Sequence, residues 1–288
     1  MPYFLALASA ALYGAADFLG GLASRRASTI AVVIVSQAAG LLPLTLLLLV
    51  LPGTPTRSDL LWGAIAGMAG SIGVALLYRA LAIGTMSIVA PTTAVCAVML
   101  PVLAELWRGE RLGPITIGGI SLALVAIVLV SQQRPAADTT AASDHRRAAP
   151  ALPPGMGLAL LSGVAIGLFF LALARTATTA GLWPLLFSRA LSIVVFSMIA
   201  RAGSHRMAMP RPVHRLAAWC GVVDMLANAL YLVASRGGPL SVVVTLASLY
   251  PASTVILARI VVGERLSSRQ NVGIACALAA VVLIVSDS

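Results

Sequence analysis

Ten stretches of nearly uninterrupted apolar residues divide the chain, separated by short polar breaks: 4–24, 29–51, 60–83, 86–107, 114–131, 155–175, 182–200, 214–235, 239–261 and 269–286. An apolar run of about 20 residues crosses the roughly 30 Å hydrocarbon core as one helix. The pattern therefore predicts an all-α integral membrane protein with ten transmembrane helices, and too little polar sequence remains for a separate soluble domain. One longer polar stretch interrupts it, residues 132–154, rich in Ala and Pro and without an apolar stripe. Its composition marks a linker.

The linker joins two related halves. Residues 78–131 return at 232–285, a constant 154 positions on: Ser87 meets Ser241, and Gly109-Glu110-Arg111-Leu112 meets Gly263-Glu264-Arg265-Leu266. Gly119, Ala123, Ala126, Val128 and Leu129 likewise meet Gly273, Ala277, Ala280, Val282 and Leu283. The expected organisation is a first five-helix repeat over 1–131, a linker over 132–154 and a second five-helix repeat over 155–288. Five is odd, so the halves enter the membrane in opposite senses and are related by a pseudo-two-fold axis. Repeats of this kind hold their solute between them near the bilayer midplane.

Composition sharpens this picture. Mean hydropathy is +1.01 and only 10% of residues are charged, which excludes an ordinary soluble domain. The net charge of +10 does not point to nucleic acid, because the arginines sit in short loops between spans. All nineteen basic residues are Arg. Loops 1–2, 3–4, 5–6, 7–8 and 9–10 carry thirteen of them, the other loops carry five, and Arg189 lies within a span. The positive-inside rule then directs both termini away from the cytoplasm. Cys96, Cys220 and Cys276 fall inside spans without metal-ligand spacing and read as small apolar residues. The first span begins almost at Met1 with no basic region before it, and reads as a permanent helix, not a cleaved signal.

Small residues at i, i+4 let helix backbones approach: Gly63 with Gly67, Gly163 with Gly167, and Ala275 with Ala279. Trp62, Trp107 and Trp183 sit at span ends, where indoles anchor to the interface. Pro43, Pro91, Pro101 and Pro251 interrupt helices and free carbonyls locally. Glu110 and Glu264, each followed by Arg in a short loop, read as caps or interface ion pairs.

Polar residues inside the spans are the candidates for chemistry. A charge at the centre of a membrane helix costs about 2.5–3.5 kcal/mol on insertion scales. Asp224 lies near the middle of the eighth span, and Asn228 and Tyr231 follow at i+4 and i+7, on one helix face that Ser235 extends. Such a stripe lines a cavity or belongs to a buried polar network. Tyr78 meets Tyr231 if the repeat register slips by one, which would set two tyrosines opposite each other. Ser71 and Ala75 stand where the eighth span has Asp224 and Asn228, so the site is expected to be asymmetric. Tyr13 and Asp17 repeat the i, i+4 spacing in the first span; Asp17 either pairs with Arg25-Arg26 or faces a cavity. Arg189 takes the position that Gln37 holds in the second span, and is expected to pair with Asp224 or Asp17 or to attract a substrate carboxylate. Sequence patterns of hydrolases, zinc enzymes and phosphate loops are absent, so no enzyme activity, catalytic residue, metal or cofactor is expected.

Two five-helix repeats, each with a fourth helix running into GER and then a fifth helix rich in small residues, resemble the EamA type of the drug/metabolite transporter superfamily. Pro251, thirteen residues before Glu264, matches the family pattern. The first copy departs from it, with Ala97 at that position and Pro91 and Pro101 nearby. The chain is also similar to bacterial exporters of amino acids, including aromatic ones. The resemblance implies a multi-pass protein of the inner (plasma) membrane that exports small metabolites by alternating access. Amino acids, of broad specificity, are the expected substrate, and a proton-coupled exporter of cationic compounds is the alternative. The family's cavity lies among helices one, three, four, six, eight and nine. By position that singles out Tyr13, Asp17, Tyr78, Asp224, Asn228 and Tyr231. Expected partners are a small solute and the lipid bilayer, without nucleic acid; duplication within one chain removes the need for a dimer.

Overall fold

The computed structural model describes residues 1–84, 86–109, 112–131, 154–203, 207–262 and 268–286, and among these it contains helices and connecting turns only. The first half supplies α1 (Pro2–Ser24), α2 (Thr29–Val50), α3 (Arg57–Ile83), α4 (Met86–Trp107) and α5 (Pro114–Ser131). The second supplies α6 (Met156–Ala174), α7 (Trp183–Ala202), α8 (Arg211–Ser235), α9 (Leu240–Ala247), α10 (Tyr250–Leu257) and α11 (Ser268–Ser286). Each apolar stretch of the sequence becomes one helix, except the ninth.

That stretch is broken between α9 and α10 and ends in a π-helical turn over Ala258–Val262. The break has a local cause. Pro251 has no N–H to donate to the carbonyl of Ala247, four residues back, and Ala247 is where α9 stops. Ser248 and Leu249 close the turn with bonds to Val244 O (2.8 Å) and Leu246 O (3.2 Å). By contrast α4 runs unbroken past both its prolines. The two halves therefore bend differently, as the unequal proline positions suggested.

The helices pack by exchange between the halves. α1 lies along α8, and its pseudo-symmetric counterpart α6 lies along α3; α2 packs on α8 as α7 packs on α3. α4 meets α6 just as α9 and α10 meet α1, and α5 meets α11. Exchanging the first five spans for the last five reproduces this set of contacts, which makes the molecule two inverted five-helix repeats around a shared centre.

Small residues enable the closest of these contacts. A Cβ added to Gly67 would fall 2.6 Å from the carbonyl oxygen of Ser188, and one on Gly63 would fall 2.7 Å from that of Pro184. No side chain fits there, so these glycines bring α3 directly onto α7. Gly163 and Gly167 do the same for α6 against α4. Ala275 and Ala279 differ from expectation. Both are exposed, and α11 instead turns Gly273 and Ala280 inward.

Leu42, Leu46 and Leu49 on α2, and Leu278 and Val282 on α11, belong to the exposed apolar surface that meets lipid. Trp107 is fully exposed at the end of α4, whereas Trp62 and Trp183 are half-buried. Only Pro154 of the expected linker is described; Glu110 and Arg111 of the first Gly-Glu-Arg-Leu motif and all four residues of the second lie outside the described residues, as do the side chains of Ser87, Pro91 and Ala277.

Candidate functional site

A partly open cavity with about 630 Å³ of atom-free space, counting its open mouth, lies between the halves, bounded by α1, α2, α3, α6, α7, α8 and the start of α10. Its two sides differ in chemistry. The α1–α8 side is polar, with Tyr13, Asp17, Asp224 and Asn228. The pseudo-symmetric α3–α6 side is mostly apolar, with Val74, Leu77, Ile166, Phe169 and Phe170. Symmetry of backbone is thus combined with asymmetry of lining.

The polar side is a connected network. Spacing of four residues on α8 puts Asp224 and Asn228 on one face. The Asn228 amide donates to the Asp224 backbone oxygen (2.7 Å) and to its Oδ2 (3.1 Å). The Tyr13 hydroxyl donates to Asn228 Oδ1 at 2.9 Å. From α7 the Arg189 guanidinium forms an ion pair with the Asp224 carboxylate and donates to Gln37 Oε1 on α2. Two helices of the second half, α7 and α8, and two of the first, α1 and α2, are tied through five side chains. The sequence left Arg189 a choice of partners; Asp224 is the one it takes.

Asp17 stands apart from this network. It is 8% exposed and lines the cavity. Among the described residues its carboxylate has no hydrogen-bond or ion-pair partner, so the salt bridge to Arg25 or Arg26 is not formed. A carboxylate held out of water without a donor carries a large desolvation cost that a cation or a proton relieves.

Aromatic rings close one end of the space. Phe170 contacts Tyr13 edge-on with ring centroids 5.9 Å apart, and Phe169 lies 5.5 Å from Phe170. Tyr250 adds a second edge contact to Tyr13, at 6.5 Å.

Tyr78 and Tyr231 do not line the cavity and do not face each other. Tyr231 is fully buried behind Phe170, 4.5 Å from it ring to ring, with its hydroxyl donating to the Phe170 carbonyl at 3.2 Å. It does share the face of Asp224, but seven residues carry it about 10 Å further along the helix, past the end of the cavity. Tyr78 is buried between α1, α3 and α8, its ring over Gly20 and its hydroxyl 2.9 Å from Cys220 Sγ. Ser235 bonds back to Leu232 O, in its own helix. Ser71 lines the cavity; its hydroxyl bonds to the Gly67 carbonyl. Phe169, Phe170 and Tyr250 had no sequence signal, because aromatic residues in an apolar helix look alike whichever way they point. Gln37 had one: a polar residue inside a span, aligned with Arg189.

Among the described residues no group of three His, Cys, Asp or Glu side chains is placed to hold a metal ion.

A bundle of inverted halves enclosing a half-polar, half-apolar cavity is the architecture of a membrane carrier of small solutes. The model of the EamA-like transporter family matches residues 1–132 and 153–286. The chain belongs to that family, whose members are transporters of small metabolites, and it is a multi-pass membrane protein in contact with lipid. A solved crystal structure of another protein superposes on 96% of this chain and 96% of its own, with a TM-score of 0.63 and 17% identity. At that identity the likeness shows the fold alone. No curated protein matches the chain.

Proposed function

We propose that the protein exports amino acids across the inner (plasma) membrane, with the cavity exposed alternately to each side. The observation that carries this reading is the unpartnered Asp17 carboxylate beside an Arg189–Asp224 ion pair, opposite an apolar and aromatic wall. A zwitterion with an apolar side chain fits that distribution. Its ammonium group lies against Asp17 and the Tyr13 hydroxyl, its carboxylate takes guanidinium donors of Arg189, and its side chain packs on Ile166, Phe169 and Phe170. Asp17 and not Asp224 takes the ammonium group, since Arg189 already neutralises Asp224. Tyr78 and Tyr231 support the site from behind, Tyr231 by fixing Phe170. Rocking of the halves, 1–131 against 155–288, moves the site from one side to the other. The arginine-rich loops lie in the cytoplasm, and one chain suffices for transport.

Counterflow in proteoliposomes tests this. Labelled threonine, methionine or phenylalanine is taken up above empty liposomes, and Asp17→Asn loses that uptake. A second reading draws on the same free acid: Asp17, Asp224 and Arg189 sum to one negative charge, which a cationic compound or a proton would balance. Absence of amino-acid uptake, together with proton release on adding a lipophilic cation, would replace the first reading with this one.

A further inference from the structure

At the membrane face where α3 begins and α4, α6 and α8 end, the two halves are tied together by polar contacts. Arg175, which caps α6, reaches Glu105 near the end of α4 at 3.5 Å. Asp59 accepts the Thr56 backbone N–H (2.9 Å) and hydroxyl (2.6 Å), closing a capping box at the start of α3. Its other oxygen accepts the backbone N–H of Ala177 at 2.7 Å. Thr54 N–H donates to Thr179 O at 2.8 Å, and Arg236 at the end of α8 donates to Thr176 Oγ1 at 3.2 Å. Residues 175–179 of the second half are thus held by Thr54, Asp59 and Glu105 of the first.

The pseudo-two-fold axis generates a counterpart of this clasp on the opposite face, and the residues at the corresponding positions cannot form it. Glu105 becomes Arg259, and Asp59 becomes Val213, or Pro212 if the register slips by one. Arg175 corresponds to Arg25, which caps α1 in the same way. By this correspondence two arginines replace the Glu105–Arg175 pair, and residues 24–28, Ser-Arg-Arg-Ala-Ser, offer no acid. The hydroxyl of Ser24 is buried with no partner, whereas that of Thr176, at the equivalent helix end, is engaged. A pair of unlike charges attracts and two guanidinium groups repel, modestly for partly exposed groups.

We infer that the Asp59–Ala177 and Glu105–Arg175 contacts are a gate that closes this face at rest, while like charge favours parting of the opposite, arginine-rich face. The carrier then waits open to the side with the arginines and must break the clasp to release its solute. This rests on the chain being a two-sided carrier, and not on which solute it carries.

Hydrogen exchange of the full-length protein in lipid nanodiscs, without substrate, tests it. Glu105→Gln speeds amide exchange in residues 175–181 several-fold and, because the faces open in turn, slows exchange in residues 24–28. Reversing the pair, Glu105→Arg with Arg175→Glu, restores both rates. A rise at 175–181 with no change at 24–28 would reduce the clasp to a local tie and overturn the proposal, as would failure of the reversed pair to restore exchange. Asp59→Asn, read in the same two segments, keeps the test decisive if Glu105→Gln does not fold. Amino-acid counterflow is not part of the readout, so failure here is distinct from failure of the substrate assignment.

Discussion

Arg189 on α7 is ion-paired through Nη2 with Asp224 on α8, and its Nη1 donates to Gln37 on α2, in the other half. Both charged side chains are largely buried, 6% and 13% exposed. Breaking such a pair leaves one charge uncompensated, at a cost of about 3–5 kcal/mol. Asp224→Ala is expected to lower the melting temperature of the purified protein sharply, and Asp224→Leu combined with Arg189→Met to recover much of the loss. If the single variant melts like the wild type, the pair is not structural.

Asp17 is expected to behave differently. Its carboxylate has no partner to lose, so Asp17→Asn removes a buried charge and leaves stability equal or higher. Transport falls all the same. A melting curve and a counterflow assay on one preparation separate the two residues, and a large loss of stability in Asp17→Asn would contradict the unpartnered geometry.

Tyr13 contributes a ring and a hydroxyl in separable ways. Tyr13→Phe removes the bond to Asn228, worth about 1 kcal/mol, but keeps the edge contacts to Phe170 and Tyr250. The expected result is a KM raised several-fold with little change in maximal rate. Tyr78→Phe, outside the cavity, should leave KM unaltered; an equal effect at Tyr78 would argue against the assigned lining.

Phe169 and Phe170 bound the apolar side. Phe169→Ala enlarges the cavity and should favour bulkier side chains over threonine in competition assays. Unchanged preference would place the solute elsewhere.

Gly67 sets the distance between α3 and α7. Adding one methyl group puts it 2.6 Å from the Ser188 carbonyl, one residue before Arg189. Gly67→Ala should therefore destabilise by about 1–3 kcal/mol and disturb the Arg189 network, visible as lower stability and lower transport together.

Much of this was legible in the chain because lipid imposes a simple rule. Backbone groups in hydrocarbon must be satisfied within the helix, so an apolar run of the right length has one outcome. That is why all ten stretches became helical, with ends within about three residues of those read from hydropathy alone. The exception, α9 and α10, depends on a proline whose effect varies with its surroundings: Pro101 leaves α4 continuous, and Pro251 does not.

The candidate site was legible in part. Tyr13, Asp17, Asp224 and Asn228 stood out because polar groups are costly in a membrane helix and must turn inward. Turning inward does not mean facing the cavity, as Tyr78 and Tyr231 show: one is occupied by Cys220 and the other by the Phe170 carbonyl. Asp59 also had a signal, Thr56-x-x-Asp59 before an apolar run, but a capping box announces a helix start and not a contact with the other half.

The sequence by itself determined the number of apolar spans, the duplication, the inverted relation of the halves and the set of intramembrane polar residues, since each depends on local composition or on counting. The tertiary structure decided which of those residues meet. It joined Arg189 to Asp224 and not to Asp17, left Asp17 bare, and set an apolar wall from α3 and α6 against it. These choices arise where helices from opposite halves approach within a few ångströms, and the glycines that permit that approach carry no information about what faces them.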